Sequence, residues 1–299
     1  MKTKKTTILT ALLAISLSLV FLSAAKDFPV SGSVTAVKKN APKDTPFKTA
    51  ALEARAAYVF DISAGRAIFQ KNSSAQLPLA SLTKIMTAIV VKERAPEGLR
   101  ARIPRKAILQ EGDSGLITGE WWKVSNLTDA MLVASSNDAA FALSMVSLGG
   151  GDNDSWKDFV KLMNKKAEEM NLNQTYFLNP TGLDVSPNIA GAYGSAQDVA
   201  KMIRYVLKKY PKLLEVTGYK DLKTNSHFFK NTNKLVDDIP LLIAGKTGFS
   251  DLAGGNLAVV IDMGFEHPVI IVVLGSSEEG RFRDVKTLYE ATLQYFKSS

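Results

Sequence analysis

The chain predicts an α/β protein of the α+β kind: an antiparallel sheet drawn from both chain ends, with a helical lobe inserted between them. Three observations carry that prediction. Two β-rich runs joined by a turn lie early, at 56–62 and 67–70, and two more apolar runs lie late, at 256–263 and 269–274. The text between them repeats its apolar residues every three or four positions, the spacing of helices packed on one face.

Residues 1–25 carry Lys2, Lys4 and Lys5, an uncharged apolar run from 8 to 22, and then Ser23, Ala24 and Ala25. That order reads as a secretory signal peptide. The run is short for a membrane span, which needs about 20 residues; left uncleaved, the leader would serve as an N-terminal membrane anchor. Cleavage after Ala25 removes three lysines and no acid, taking the net charge from +8 to +5. A mildly basic chain suits loose association with anionic polymers or lipid surfaces, and no run of basic residues calls for nucleic acid. With no cysteine and two histidines, the chain has neither disulfides nor a thiolate or histidine-rich metal site, and the reading calls for no cofactor. Residues 26–50, rich in Lys, Pro, Ser, Thr and Ala without periodicity, read as a flexible linker, which leaves 51–299 as the folded domain. No internal repeat is present.

The hairpin at 56–70 turns at Ser63-Ala64-Gly65. Directly after it, Leu82, Ile85, Met86 and Ile89 recur at helical spacing behind Pro78, a residue tolerated in a first helical turn. Ser81 and Lys84 then share a face of that buried helix. A serine hydroxyl is a weak nucleophile until a base takes its proton, and a lysine kept neutral by burial can be that base, so Ser81 and Lys84 are candidate nucleophile and base. The same spacing recurs at Ser23 and Lys26 and arises by chance about once in a chain this long, so the pair alone equally fits two ordinary positions near the start of a core helix.

Gly112-Asp113-Ser114-Gly115 looks like the nucleophile motif of chymotrypsin-like proteases. Those enzymes place histidine and aspartate upstream of the serine, whereas His227 and His267 follow it; a turn accounts for the tetrapeptide. The next helix starts near Val124 with Ser125 or Asn126 as its cap, and another runs through Ala139, Ala140, Ala142 and Leu143. Ser135 and Asn137 fall at the junction, pointing into a cleft or merely capping the second helix. Residues 156–170 form an amphipathic helix, 195–207 a capped one, and 284–296 a closing helix with Val285, Leu288, Leu293 and Phe296 inward. Lys246-Thr247-Gly248 opens the late β segments.

Taken in order, Ser81-x-x-Lys84, Ser135-x-Asn137 and Lys246-Thr247-Gly248 resemble the signature of the penicillin-binding proteins and serine β-lactamases. Ser186-x-Asn188 repeats the second motif, and only context separates the two occurrences. The text from 159 to 184, ending Thr175-Tyr176-Phe177-Leu178-Asn179-Pro180-Thr181-Gly182-Leu183-Asp184, and Asn137-Asp138-Ala139-Ala140 are similar to the low-molecular-weight penicillin-binding proteins of the D-alanyl-D-alanine carboxypeptidase family, peptidase family S11. Glu169-Met170-Asn171-Leu172-Asn173 matches the pattern of the deacylating glutamate of class A β-lactamases, but Glu169 falls on the polar face at a helix end and the match is read as coincidence.

What the resemblance implies is a transpeptidase-like, serine β-lactamase-like fold over 51–299, exported to the bacterial cell envelope, which removes the terminal D-alanine from peptidoglycan stem peptides and is acylated by β-lactam antibiotics. In the family's roles Ser81 attacks, Lys84 takes its proton, Ser135 relays a proton to the leaving amine, and Asn137 orients the substrate amide. Lys246 and Thr247 hold the terminal carboxylate, Gly248 lets substrate approach the strand, and the backbone N–H groups of Ser81 and Phe249 form the oxyanion hole. Phe249 stands where these carboxypeptidases often have histidine. A β-lactamase, a DD-endopeptidase of the same fold and a penicillin sensor without turnover are the alternatives, and any membrane tether is expected at the N-terminus.

Overall fold

The computed structural model describes residues 46–149, 155–264 and 266–298. The leader, the linker up to 45 and the Ser23–Lys26 pair lie outside the described residues. In chain order the elements are β1 (Ala56–Asp61), β2 (Arg66–Lys71), β3 (Leu77–Pro78), α1 (Thr83–Arg94), β4 (Arg100–Arg102), β5 (Trp121–Lys123), α2 (Val124–Val133), α3 (Asn137–Val146), α4 (Ser155–Glu169), β6 (Tyr176–Phe177), β7 (Ala192–Gly194), α5 (Ala196–Lys209), β8 (Asp221–Thr224), β9 (His227–Lys230), β10 (Leu242–Ser250), β11 (Gly254–Asp262), β12 (Pro268–Ser276) and α6 (Gly280–Ser298).

The main sheet has the order β10-β11-β12-β1-β2 with every pair antiparallel. Ala56 of β1 faces Leu274 of β12, so the two ends of the chain meet in mid-sheet as expected. Successive side chains of a strand point to opposite faces. Accordingly Ala57, Val59, Val259, Ile271 and Val273 pack into one core with Val285 and Leu288 of α6, while Ala56, Phe60, Ala258, Val260 and Val272 join the core of α1 to α5. With both faces covered, β11 and β12 read as continuous apolar runs rather than alternating ones. In the helical lobe α1 is buried from Thr83 to Val91, which makes it a rigid mount. The Ser195 hydroxyl accepts from Asp198 N and caps α5 as the sequence predicts.

Strand β10 is an edge strand. Its first half is walled by the turn at Glu215–Gly218: Gly245 N donates to Thr217 Oγ1 at 3.0 Å, and a Cβ on Gly218 would stand 2.7 Å from the Ile243 carbonyl oxygen.

Three expectations are corrected. Pro78 belongs to β3, paired with Tyr193 of β7, and not to a first helical turn; α1 starts five residues later. Neither Ser125 nor Asn126 caps α2, because β5 runs into the helix without a break and Lys123 holds the cap position with no side-chain bond. The linker ends sooner than residue 50, since Pro46–Thr49 form a 3-10 turn whose Phe47 is buried against Phe69 of β2 and Tyr295 of α6.

That last contact has a measurable consequence. Phe47→Ala removes a buried ring and is expected to destabilise the fold by about 3 kcal/mol. For a domain of this size that lowers Tm by about 6–12 °C. A chain starting at 51 should melt as low as the point variant; an unchanged melting temperature in both would return the segment to the linker.

Candidate active site

Ser81 sits in the 3-10 turn Ala80–Leu82, which feeds directly into α1. Ala80 holds a φ of +46°, a conformation that residues with a Cβ rarely adopt. The strain is held in place from outside. Gly182, itself at φ +83°, packs so closely that a Cβ there would stand 1.9 Å from the Ala80 carbonyl oxygen, so only glycine fits. Strained backbone of this kind persists where the surrounding structure over-determines it, which is common at reactive sites.

Lys84 follows one turn later, wholly buried. Its Nζ lies 2.7 Å from Ser81 Oγ, 2.7 Å from Asn137 Oδ1 and 2.6 Å from the Thr181 carbonyl oxygen. Asn137 Nδ2 donates to the Glu111 carbonyl at 2.7 Å, which fixes the amide with Oδ1 toward the lysine. Two of the three neighbours of Nζ are therefore acceptors only. A neutral amine directs its two N–H groups at them and its lone pair at the Ser81 hydroxyl, the arrangement a base requires. Burial holds the Lys84 pKa well below its ordinary value, and the nearby Lys246 lowers it further.

Lys246 approaches from β10, donating to Ser135 Oγ at 2.7 Å and to the Thr247 carbonyl at 2.9 Å. Ser135 has a φ of +58°, the second strained position, where the chain turns from α2 into α3. Burial, then the Arg281 guanidinium, brings the Lys246 pKa down to about 7. Arg281 itself is buried and donates Nη1 to the Gly248 carbonyl at 2.7 Å. Thr247 Oγ1 lies 2.6 Å from Thr232 Oγ1. No hydrogen bond of Lys84 or Lys246 goes to a carboxylate among the described residues, so both amines are buried without a counter-charge and neutrality is favoured.

The predicted positions thus converge from three segments: the Ser81 turn, the α2–α3 junction and β10. Two of them make contacts within the chain that their expected roles do not name. A Cβ on Gly248 would stand 2.9 Å from the Leu79 carbonyl oxygen and 3.2 Å from Ser81 N; the glycine makes room for the Ser81 turn. Asn137 is held at both ends of its amide, by Lys84 at Oδ1 and by the Glu111 carbonyl at Nδ2, which leaves the second N–H of Nδ2 for a substrate amide. Phe249 keeps its backbone in β10 beside the Ser81 turn while its side chain is about half exposed.

The decoys are accounted for. Ser114 Oγ lies 2.6 Å from Ser136 Oγ and donates to Asp138 Oδ2 at 2.9 Å, which ties the 112–115 loop to α3. Glu169 pairs with Lys166 at 2.5 Å on the surface, and Ser186 and Asn188 belong to a bridge-closed turn.

Several participants carry no chemical signature in the sequence. Thr181 acts through its carbonyl, which any residue could supply. It is held by Asn179, whose Oδ1 accepts from Thr181 N, Thr181 Oγ1 and Gly182 N at 3.1, 2.9 and 2.7 Å. Asp184 anchors the same loop to the far end of β10, accepting from Ser250 Oγ at 3.0 Å and Leu252 N at 3.2 Å. Asn179 and Asp184 stand within the stretch that carried the resemblance; Thr232 and Arg281 were not signalled.

Similarity to known proteins agrees with this geometry. The chain is 31% identical over 257 residues to D-alanyl-D-alanine carboxypeptidase DacF of Bacillus subtilis (strain 168), covering 82% of this chain, and it spans 64% of that relative's length. It is 31% identical over 231 residues to a D-alanyl-D-alanine endopeptidase of Escherichia coli (strain K12), covering 73% of this chain and 70% of that one. Among solved structures, cefotaxime-bound penicillin-binding protein D2 from Listeria monocytogenes superposes with a TM-score of 0.70 at 31% identity, over 81% of this chain and 97% of that one, which establishes the penicillin-binding-protein fold. With residues 39–278 matching the D-alanyl-D-alanine carboxypeptidase family, peptidase S11, the chain belongs to that family.

Proposed function

We propose that the protein is a serine-type D-Ala-D-Ala carboxypeptidase that removes the terminal D-alanine from peptidoglycan stem peptides through an acyl-enzyme on Ser81. One observation carries the reading: a buried amine 2.7 Å from the serine that follows the strained Ala80, with its other two contacts on acceptors. Ser81 Oγ attacks the penultimate D-alanine carbonyl as its proton passes to Lys84 Nζ. The backbone N–H groups of Ser81 and Phe249 meet the oxyanion. Ser135, bonded to Lys246, then passes a proton to the departing amine, and Lys246 with Thr247 holds the terminal carboxylate by a charge-assisted pair of bonds. The proton that Ser135 gives up is replaced by the one Lys84 took, which leaves both neutral; water then attacks the ester, and Lys84 takes its proton and returns it to Ser81 Oγ as the acyl group departs. Substrate of this kind lies outside the cytoplasm, in keeping with the leader read from residues 1–25 as a signal peptide or N-terminal tether. A β-lactam offers the same carbonyl and carboxylate to the same groups; the cefotaxime-bound relative supports its action as an acylating inhibitor.

Incubation with a soluble D-alanyl-D-alanine peptide should release one D-alanine per peptide, blocked by prior treatment with penicillin. Cleavage confined to cross-linked peptides would move the assignment to an endopeptidase, the activity named for one relative. Rapid turnover of penicillin would indicate a β-lactamase. A lasting adduct with no product from either peptide would indicate a sensor.

A further inference from the structure

We propose that the outward faces of the β4–β5 and β8–β9 ribbons form a docking surface for the peptidoglycan polymer whose stem peptides enter the cleft; this rests on the functional reading above and names a second place where the same substrate is held. In β4–β5, Arg100 stands opposite Lys123 and Arg102 opposite Trp121, all exposed, while Ala101 and Trp122 face inward. In β8–β9, Asp221 stands opposite Lys230 and Lys223 opposite Phe228, again exposed, above an inward Leu222–Phe229 pair. The two outward rows therefore hold five cations, one acid and two aromatic rings. Trp121 is 52% exposed and Phe228 66%.

The ribbons are firmly joined beneath. The Glu120 carboxylate lies 2.9 Å from His227 Nε2 and accepts from Asn225 Nδ2 at 3.0 Å, and the Trp122 ring packs against His227 and Phe229 with centroids 5.2 and 6.1 Å apart. Folding thus covers the inner rows and leaves the cations of the outer ones without ion-pair partners among the described residues. No ion pair among the described residues uses any of the five cations. Arg102 instead donates to the Gly119 carbonyl and lies 5.9 Å from the Trp121 ring centroid.

Exposed aromatics among unpaired cations mark an interaction surface whose partner is anionic and has flat apolar faces. Peptidoglycan supplies both, with carboxylates on its stem peptides and sugar rings along its glycan. Position favours the same occupant. β9 ends at Lys230, two residues before Thr232, whose hydroxyl touches Thr247 in the cleft. β5 passes directly into α2, which leads to Ser135. A polymer held on the ribbons would present its peptides at a high local concentration beside Ser81.

The test uses the full chain and insoluble peptidoglycan freed of other wall polymers. Wild-type protein should cosediment with it at low salt and be released as salt rises and screens the charges. A variant combining Trp121→Ser, Phe228→Ser, Lys123→Glu, Lys223→Glu and Lys230→Glu should bind at least tenfold more weakly, yet release D-alanine from a short soluble peptide within twofold of wild type. The milder triple variant Lys123→Gln, Lys223→Gln, Lys230→Gln, checked by melting, should lose binding in the same direction without loss of stability. Undiminished sedimentation of either folded variant would overturn the proposal, as would equal losses on polymer and soluble peptide. So would wild-type protein that sediments with phosphatidylglycerol vesicles and not with peptidoglycan. A wild type that binds polymer but releases no D-alanine refutes the enzymatic reading and leaves docking measurable, since sedimentation needs no turnover.

Discussion

Ser81→Ala protein will take up no labelled penicillin and release no D-alanine, while wild type is labelled once, on the peptide that contains Ser81. The expectation follows from the contrast between two serines. Ser81 lies on a strained turn 2.7 Å from a fully buried amine. Ser114, in the tetrapeptide that resembles a protease motif, has no histidine beside it; its hydroxyl is engaged by Ser136 and by the Asp138 carboxylate. Burial raises the pKa of Asp138, but a carboxylate remains a far weaker base toward a serine than a neutral amine. Peptide mapping that places the adduct on Ser114, or labelling that survives Ser81→Ala, would remove Ser81 from the reaction.

Lys84→Arg should acylate with penicillin at least about a hundredfold more slowly, the low end of general-base effects, because a guanidinium cannot shed its proton. The side chain is enclosed on all sides and arginine is larger, so Lys84→Met, similar in length and without a basic nitrogen, is measured beside it and both are followed by melting. Near wild-type acylation by either folded variant would exclude Lys84 as base. The pH profile supplies an independent reading. Lys84 is competent when neutral and its pKa is depressed, so kcat/KM should rise with pH as it loses its proton. Lys246 is competent toward a carboxylate when charged; with a pKa of about 7 in the free protein it should impose a fall above that pH. A bound carboxylate favours the ammonium, so the falling limb should lie at higher pH in kcat than in kcat/KM. A profile flat from pH 5 to 9 would contradict both assignments.

How much of this was legible in the sequence depends on what each residue contributes. Ser81, Lys84, Ser135, Asn137, Lys246 and Thr247 act through side chains, and their order and spacing brought them to attention before any geometry. The two-ended sheet was equally legible, because apolar runs at 56–62, 256–263 and 269–274 have few ways to be buried except together. Backbone chemistry was not. The Thr181 carbonyl on Lys84, the positive φ of Ala80 and Ser135, and the close packing of Gly182 on Ala80 depend on the path of the chain. The same holds for the close approach of Gly248 to the Ser81 turn. Arg281 comes from α6, a long way along the chain from the cleft, and one arginine among many basic residues gives no hint of its destination. Phe47 was hidden by its surroundings, one of two phenylalanines in a stretch whose composition is that of a linker.

The edge position of β10 also bears on self-association. An exposed strand edge is a template on which another molecule can add its own strand, and proteins commonly defend such edges. Here the defence is partial by construction. The Thr217–Gly218 wall closes the edge up to Gly245, and only the stretch that carries Lys246 to Ser250 is left to the cleft. That is about 16 Å of strand, room for an extended peptide of at most about five residues, and little more than half of the 9-residue edge that β10 would otherwise offer a second copy. The opening that admits a peptide end is thereby small enough to discourage edge-to-edge aggregation, and lengthening it by trimming the wall would be expected to favour aggregation before it broadened the choice of substrate.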